Sequence, residues 1–237
     1  MKTEIKNIKS EIIDEIIEWD KVNWCRALEY IDKYVSDIDI PKYDVLCIGE
    51  RRGGMSLYFG LKGAKSVICS DIGVSFEEAR LFHQRYGFKA DGYKEIDVTN
   101  DFGESEYDII CFKSVLGSIG KGGRELIEAS LENIYKALKP GGALLFMENL
   151  EATKFHSFAR KKMCRMNSYR RKWYYVKYDD VLKLTSKFSE VNFDTIGFFG
   201  AFGVGNKMRG VLGYIDILID RFIKKENRYI VSCIAIK

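Results

Sequence analysis

Short apolar runs alternate with amphipathic segments along most of this chain. The first run, residues 45–48, is followed by a helical pattern at 55–61, and the alternation continues to the end of the sequence. Consecutive apolar residues are typical of strands covered on both faces. The pattern therefore predicts an α/β fold with a mostly parallel, doubly wound sheet and helices on both faces. Seven segments are predicted as strands: 44–48, 66–71, 93–96, 107–112, 143–147, 193–199 and 229–236.

The N-terminal residues 1–40 carry a different pattern. Isoleucines separated by charged residues recur at helical spacing, at positions 5, 8, 12 and 16. Pro41 marks the junction to the sheet. We predict an N-terminal helical cover over 1–40 and one α/β domain over 41–237, a length that can bury a full core. The cover either packs on the core or closes as a lid, with Trp19 or Trp24 touching the ligand.

A glycine-rich turn follows the first predicted strand. Gly49, Gly53 and Gly54 let the backbone turn sharply and let a ligand lie against it. Asp71 ends the second predicted strand, where a carboxylate would accept hydrogen bonds from a ribose diol. The spacing does not match the dinucleotide pattern G-x-G-x-x-G, and no Gly-Lys-Ser/Thr follows, which excludes a P-loop. The turn therefore predicts a nucleotide-type cofactor site of another kind.

Three later motifs narrow that prediction. They are Asp97-Val98, Asp108-Ile-Ile-Cys-Phe, and Leu138-Lys-Pro-Gly-Gly-Ala-Leu-Leu-Phe. Together with Val45-Leu-Cys-Ile-Gly and Asp71, they make residues 43–150 resemble the class I S-adenosylmethionine-dependent methyltransferases. The resemblance implies a seven-stranded Rossmann-like sheet and S-adenosylmethionine as the cofactor.

The resemblance also implies roles for individual residues. The glycine turn would meet the methionine part, Asp71 the ribose, and Asp97 with Val98 the adenine. The acid that often precedes the first glycine of this family by two positions is Cys47 here, so Glu50 is expected to face the cofactor's ammonium group. The predicted cofactor-binding residues are Gly49, Glu50, Arg51, Gly53, Gly54, Asp71, Ile72, Asp97, Val98, Lys113 and Ser114.

Candidate catalytic residues follow the fourth and fifth predicted strands. His156 comes shortly after the fifth strand, on the side where ligands bind in such sheets, and is the first candidate for a general base. Glu148 is the second, and Lys113 would lie beside the acceptor. No metal is expected, because the fourth strand ends in Phe112-Lys113 without an aspartate for Mg²⁺. Asn149, His156, Arg160, Arg170 and Trp173 are the predicted substrate-binding residues.

A basic, aromatic insertion is predicted at about 152–180. Residues 154–177 hold nine Lys/Arg and no acid, although the net charge of the chain is only +4. An unopposed positive stretch favours an anionic partner such as a phosphorylated or nucleotide-linked sugar. RNA is a less favoured alternative, and a solvated helix face is the structural alternative. An amphipathic helix at 211–223 is predicted to pack on the core and not on a membrane, because Asp216 and Asp220 lie within it.

Composition bears on the redox state of the cysteines and on the cellular location. The six cysteines show no C-x-x-C pair and fall largely in predicted strands, so they are expected to be reduced. No apolar run approaches the ~20 residues of a membrane span, and the first residues lack a signal-peptide core, which predicts a cytoplasmic protein.

These observations favour a methyltransferase that acts on a hydroxyl of a sugar or a related small anionic metabolite. A narrower likeness to methyltransferases of surface-polysaccharide biosynthesis is part of the prediction. The alternatives are an RNA or protein methyltransferase and a non-catalytic protein that binds S-adenosylmethionine.

Overall fold

The computed structural model describes residues 5, 8–164 and 173–237. Within these residues seven strands form one sheet. They are β1 Asp44–Ile48, β2 Ser66–Asp71, β3 Gly92–Glu95, β4 Tyr107–Lys113, β5 Leu138–Asn149, β6 Glu190–Ile196 and β7 Ile230–Ile236. The strand order is β3-β2-β1-β4-β5-β7-β6.

The sheet is mostly parallel, as predicted. Strands β1 to β5 pair in parallel, and β7 is antiparallel to both β5 and β6. The strand order reverses between β1 and β4, and a crevice opens at the carboxyl edge of such a sheet where the order reverses. The topology therefore places the loops after β1, β2, β4 and β5 around one candidate site.

The helices lie on both faces of the sheet. The helix predicted at 211–223 begins earlier and ends at Ile219. The helices of the described residues are α1 Ser10–Ile17, α2 Lys21–Asp37, α3 Gly54–Leu61, α4 Glu77–Arg85, α5 Leu116–Ile119, α6 Arg124–Ala137, α7 Lys154–Cys164, α8 Tyr178–Leu184 and α9 Gly205–Ile219.

Residues 139–142, which precede the predicted strand 143–147, form a bulge inside β5. Tyr107 pairs with Leu138, but the next pair joins Ile109 to Ala143, so the intervening residues of β5 leave the ladder. Gly141 has a φ of 75°, which glycine adopts without strain. The Pro-Gly-Gly segment therefore marks a bulge within β5, and the strand begins before it.

Two apolar clusters cover the two faces of the sheet. On β1, Val45 and Cys47 belong to one cluster, and Leu46 and Ile48 belong to the other. Side chains alternate between the faces of a strand, so an unbroken apolar run fits a sheet covered on both sides. Helices α1, α2 and α3 contribute to the first cluster, and α6 and α8 to the second. The N-terminal helices thus share the core of the sheet, and their role as a cover or lid stays a prediction.

No helix within the described parts of the chain has both the length and the apolar content needed to cross a bilayer.

Candidate functional site

A cavity of about 1000 Å³ lies along the carboxyl edge of the sheet. Residues after β1, β2, β3, β4 and β5 line it, and so do residues from the loop between α1 and α2 and from the segment before β7. The cavity runs across the strands and therefore has two ends. One end adjoins β2 and β3, and the other adjoins β5 and β7.

The glycine turn forms one wall of the cavity. Gly49 has a φ of 70°, and a Cβ there would lie 2.4 Å from Val115 Cγ2, so only glycine fits this position. Gly49 and Gly54 line the cavity, whereas Gly53 lies behind the wall. Two of the three predicted glycines therefore face the candidate site directly.

A buried histidine supports the turn from behind. The Nε2 atom of His83 is 2.8 Å from the carbonyl oxygen of Gly53, and its Nδ1 is 2.8 Å from the hydroxyl of Tyr93. A Cβ on Gly53 would lie 2.3 Å from His83 Nε2. Burial lowers the pKa of His83, so the ring is neutral when it donates to the Gly53 carbonyl. His83 is thus a packing residue that fixes the glycine turn.

Glu50 lies at the start of α3. Its Oε2 accepts hydrogen bonds from the backbone N–H of Ser56 at 2.9 Å and from the Ser56 hydroxyl at 2.8 Å. The carboxylate therefore satisfies a free N–H at the helix N-terminus. Burial raises the pKa of Glu50 to about 7, although these two hydrogen bonds oppose the shift. Glu50 lines the cavity, as expected of a cofactor-binding residue.

The end of the cavity near β2 and β3 combines an acid with apolar walls. Asp71 lies at the tip of β2, and its Oδ1 accepts the backbone N–H of Ile72 at 2.7 Å. Burial raises the pKa of Asp71. Asp97 accepts the N–H and hydroxyl of Thr99 at 2.9 and 2.7 Å, so this acid fixes its own loop. Five apolar residues line this end: Ile72, Val74, Ile96, Val98 and Ile119.

Lys113 lines the middle of the cavity at the end of β4. Its Nζ donates to the carbonyl oxygen of Ile17 at 2.9 Å and lies 3.7 Å from the centre of the Trp19 ring. Burial lowers the pKa of Lys113 to about 8, while Glu18 and Glu50 favour its charged form. Lys113 therefore joins the end of the sheet to the loop after α1.

Two arginines of the glycine turn form ion pairs with Glu18, in the loop after α1. Arg51 lies 3.1 Å from the carboxylate of Glu18, and Arg52 lies 3.5 Å from it. Arg52 also lies 2.9 Å from Glu78. These ion pairs explain why arginines occupy a turn that would otherwise face a ligand. Arg51 lines the cavity as predicted, and it also links the turn to the N-terminal segment.

The last pair of predicted residues in the middle of the cavity are Ser114 and Asn149. Both line it, and the Asn149 side-chain amide donates to Ser114 Oγ at 3.1 Å. Ser114 has a φ of 60°, an uncommon conformation for a serine, and this turns the chain after β4.

His156 and Glu148 do not line the cavity, which corrects the prediction that they act on the acceptor. His156 is fully buried; its Nε2 donates to the Phe198 carbonyl at 2.9 Å, and its Nδ1 accepts from Thr153 at 2.7 Å. Burial lowers its pKa to about 4. Glu148 Oε2 accepts the N–H of Leu116 at 2.7 Å, and its Oε1 accepts the Asn149 N–H at 2.8 Å. Both side chains hold backbone in place, so the geometry does not support either as the base.

The basic, aromatic insertion contributes to the wall near β5. Arg160 and Trp173, two of the residues predicted to bind the substrate, line the cavity. Arg160 donates to the carbonyl oxygen of Leu150 at 2.8 Å and lies 4.0 Å from the centre of the Tyr175 ring. Arg170, the remaining predicted substrate-binding residue, lies outside the described residues.

An acid–tyrosine pair at this end was not predicted from the sequence. Asp20 and Tyr229 both line the cavity, and the Tyr229 hydroxyl donates to Asp20 Oδ2. Asp20 is buried, and its Oδ1 has no hydrogen-bond partner among the described residues. Burial raises its pKa to about 6. Its position between Trp19 and Trp24, where the helical pattern breaks, was the available signal.

Comparisons with known proteins identify the fold. A scan against models of protein families gave no match, and a search of curated protein sequences gave none either. Phosphoethanolamine N-methyltransferase 2 of Haemonchus contortus, solved with S-adenosyl-L-methionine, superimposes with a TM-score of 0.62 at 16% identity. That match covers 96% of this chain and 56% of the other. The chain has the fold of S-adenosylmethionine-dependent methyltransferases.

Two further structures agree. A methyltransferase of this class from Thermotoga maritima matches with a TM-score of 0.57 and 12% identity, over 96% of this chain and 94% of the other. The carbon methyltransferase CurJ matches with a TM-score of 0.55 and 18% identity, over 88% of this chain and 52% of the other. The chain thus spans about half the length of two of these three proteins. The narrower likeness to a polysaccharide-associated subgroup finds no support in these matches.

Proposed function

We propose that this protein is an S-adenosylmethionine-dependent methyltransferase that acts on a small polar acceptor. The observation that carries the proposal is one cavity that joins the glycine turn after β1 to Asp71 and Asp97 on a methyltransferase sheet. Proteins of the same fold have been solved with S-adenosyl-L-methionine and with S-adenosylhomocysteine. When bound, S-adenosylmethionine supplies a methyl group activated by a sulfonium.

The residues present fit that cofactor. Gly49 leaves room for a ligand against the backbone, and Asp71 offers a carboxylate to ribose hydroxyls. The apolar side chains around Val98 suit the faces of an adenine ring. Lys113 and Glu50 bring an amine and a carboxyl group to the middle of the cavity, which suits the carboxylate and ammonium of an amino-acid group. These residues would bind and orient the cofactor at the β2 end and leave the β5 end to the acceptor.

The acceptor would bind between Asp20 and the arginines near β5. Asp20 lines this end of the cavity, and its buried Oδ1 lacks a partner among the described residues, so its carboxylate is the candidate to take a proton from a hydroxyl or amine of the acceptor. Asp20 then removes the proton as the methyl group is transferred, while Tyr229 holds the carboxylate in place. Arg160 and Arg209 bring positive charge to the same end. A hydroxyl of a sugar or of a nucleotide-linked sugar fits this arrangement.

Calorimetry with S-adenosylhomocysteine tests the cofactor proposal directly. We expect binding well below millimolar, and we expect Asp71→Ala to weaken it by ~1–3 kcal/mol through lost charged hydrogen bonds. Asp101→Ala, at an exposed site outside the cavity lining, is the matched control and should bind normally. Absence of binding by the unaltered protein would overturn the proposal. Equal affinities of the two variants would remove Asp71 from the site.

A further inference from the structure

Helix α9 packs on the protein with its polar side. Gly213 and Asp216 are buried, and a Cβ on Gly213 would lie 2.7 Å from Val22 Cβ on α2. Asp220, directly after the helix, is also buried. An ordinary surface helix buries its apolar side and exposes its charges. Helix α9 does the reverse.

A hydrogen-bond network explains how a polar side can hold the helix. Asp216 accepts the side-chain amide of Asn23 at 2.7 Å and the N–H of Gly200 at 2.9 Å. Asp220 accepts Arg26 at 2.6 Å and the N–H of Gly197 at 3.0 Å. The two acids that argued against a membrane surface are therefore turned inward and hydrogen-bonded, although Asp220 Oδ1 has no partner among the described residues. The helix packs on the protein, but through this polar side.

The outward side of the helix is apolar. Val211 is 64% exposed, Leu218 is 70% exposed, and Phe222 just beyond the helix is 73% exposed. The stripe continues along the helix at intervals of three and four residues, at Met208, Val211, Ile215, Leu218 and Phe222. Val204 and Tyr214 are exposed beside it. Contiguous exposed apolar surface of this kind marks an interaction site.

The exposed charges along the same segment are basic. Lys207, Arg221 and Lys224 are exposed, and the acids between residues 204 and 224 are the buried Asp216 and Asp220. The Arg221 guanidinium lies 4.6 Å from the centre of the Phe222 ring. Lys224 lies 3.9 Å from Glu226, which follows the segment. The outward face of α9 thus combines a row of apolar side chains with positive charge alone.

We propose that this face binds the surface of an anionic lipid membrane, with α9 lying in the interface. Apolar side chains that enter the acyl boundary, flanked by basic groups that meet anionic headgroups, are the features of such helices. The charge complementarity favours this partner over a second protein, which would need an acidic and apolar counterpart of the same length.

The same helix adjoins the cavity. Arg209 on α9 lines it, and so do Gly200 and Ala201 in the turn that leads into the helix. Phe155 on α7 is also exposed, and its ring lies 4.9 Å from that of Phe202 in this turn. A membrane on α9 would therefore lie beside the β5 end of the cavity. The proposal does not depend on the cofactor or on turnover.

Flotation with vesicles tests it on the full chain. We expect binding to vesicles of phosphatidylglycerol and phosphatidylcholine, little binding to pure phosphatidylcholine, and weakening by added salt. Val211→Asp with Leu218→Asp should reduce binding at least tenfold, because two apolar side chains no longer enter the lipid. Leu81→Asp with Leu182→Asp, at exposed leucines on α4 and α8, is the matched control and should bind normally. Lys207→Glu should weaken binding more than Lys89→Glu.

Hydrogen exchange of the unaltered protein gives a second readout that needs no variant. The amides of α9 should exchange more slowly with anionic vesicles present, and those of α4 should not change. Absence of vesicle binding, or equal binding by the two double variants, would overturn the proposal. A dimer that Val211→Asp with Leu218→Asp dissociates, without vesicle binding, would assign the face to a second copy and overturn it as well.

Discussion

The buried carboxylate of Asp20, which the proposed function needs, lowers the stability of the folded protein when it is ionised. It lies between α1 and α2 with a φ of 47°, and its buried carboxylate has one oxygen without a partner among the described residues. The hydrogen bond from Tyr229 and the positive charge of Arg209 favour its ionised form, whereas burial and the charge of Asp216 oppose it. Burial is the largest effect, so the pKa is raised to about 6. A buried carboxylate whose ionised form lowers stability is typical of a group that contacts a ligand.

Asp20→Asn should therefore stabilise the protein at neutral pH. The folded pKa of about 6 lies above the ordinary value of 3.8. In the unaltered protein this pKa difference therefore contributes stability that is fully present below about pH 4 and is lost as the pH rises through about 6. Asparagine carries no charge and tolerates a positive φ, so the variant avoids the loss. We expect a gain in the free energy of unfolding on the order of 1–3 kcal/mol at pH 7.

Urea unfolding at pH 5, 6, 7 and 8 measures this gain. It should grow from pH 5 to pH 7 and then level off. Asp37→Asn, at an exposed position on α2, is the control and should change little at any of these values. A loss of stability at pH 7, or a gain that does not vary with pH, would show that the Asp20 carboxylate is not strained in the folded protein.

The sequence predicts which residues reach the cavity where position along a strand decides it, and it does not where local hydrogen bonds decide it. Asp71 ends one predicted strand and Lys113 directly follows another, and the sheet brings both to the cavity. His156 and Glu148 were chosen by the same rule, but Thr153, Phe198 and the backbone after β4 occupy their polar atoms. Neither a rotamer nor such a partner can be predicted from strand ends.

At the scale of elements, the glycine turn depends on a helix that the motif does not include. The sequence predicts the turn, but α4 supplies His83, and the loop after α1 supplies Glu18 to Arg51 and Arg52. Contacts between residues thirty positions apart are set by packing of the elements and leave no local pattern. The turn is therefore predictable, and its supports are not.

Gly53→Ala should disrupt the turn more than its backbone conformation alone explains. Gly53 and Gly63 have φ values of 76° and 81°, but a Cβ would meet His83 at 2.3 Å in the first and nothing within 4 Å in the second. Both variants bear the cost of a positive φ, on the order of 1 kcal/mol. Only Gly53→Ala also displaces His83, so we expect it to lose at least ~2 kcal/mol more of unfolding free energy.

The comparison of Gly53→Ala with Gly63→Ala is made by urea unfolding and by calorimetry with S-adenosylhomocysteine. Gly63→Ala should keep its affinity for the ligand, since it lies at the far end of α3. Equal losses of stability in the two variants would contradict the role of His83 as the support of the turn.

Helix α9 is a second case in which the sequence predicts the element but not its contacts. Its apolar periodicity was visible in the sequence, and so were Asp216 and Asp220, but hydropathy does not say which side faces the protein. The structure answers through Asn23 and Arg26 of α2, which donate hydrogen bonds to Asp216 and Asp220. A helix can therefore be predicted correctly while its orientation is inverted.

At the scale of the whole molecule, the N-terminal helices and the sheet share one core. Ile13, Ile16 and Ile17 of α1 are fully buried in the cluster that also holds Val45 and Ile109 of the central strands. Alternating runs predicted the strand positions well, because burial on both faces leaves a continuous apolar signal. For the N-terminal helices they left two alternatives open, packing on the core or closing as a lid, since both have the same helical pattern.

We therefore expect the chain to unfold as one unit, with Ile16→Ala weakening all of it. The side chain of Ile16 is fully buried, so its truncation should cost ~2–4 kcal/mol, while Leu182→Ala, at a largely exposed site, should cost far less. In a Trp173→Phe background, tryptophan fluorescence follows only Trp19 and Trp24 of the N-terminal segment, and far-ultraviolet circular dichroism follows the whole chain. The two signals should give coincident urea transitions before and after the substitution. An earlier transition seen by fluorescence alone would instead make the N-terminal helices a separate layer that can open without the sheet.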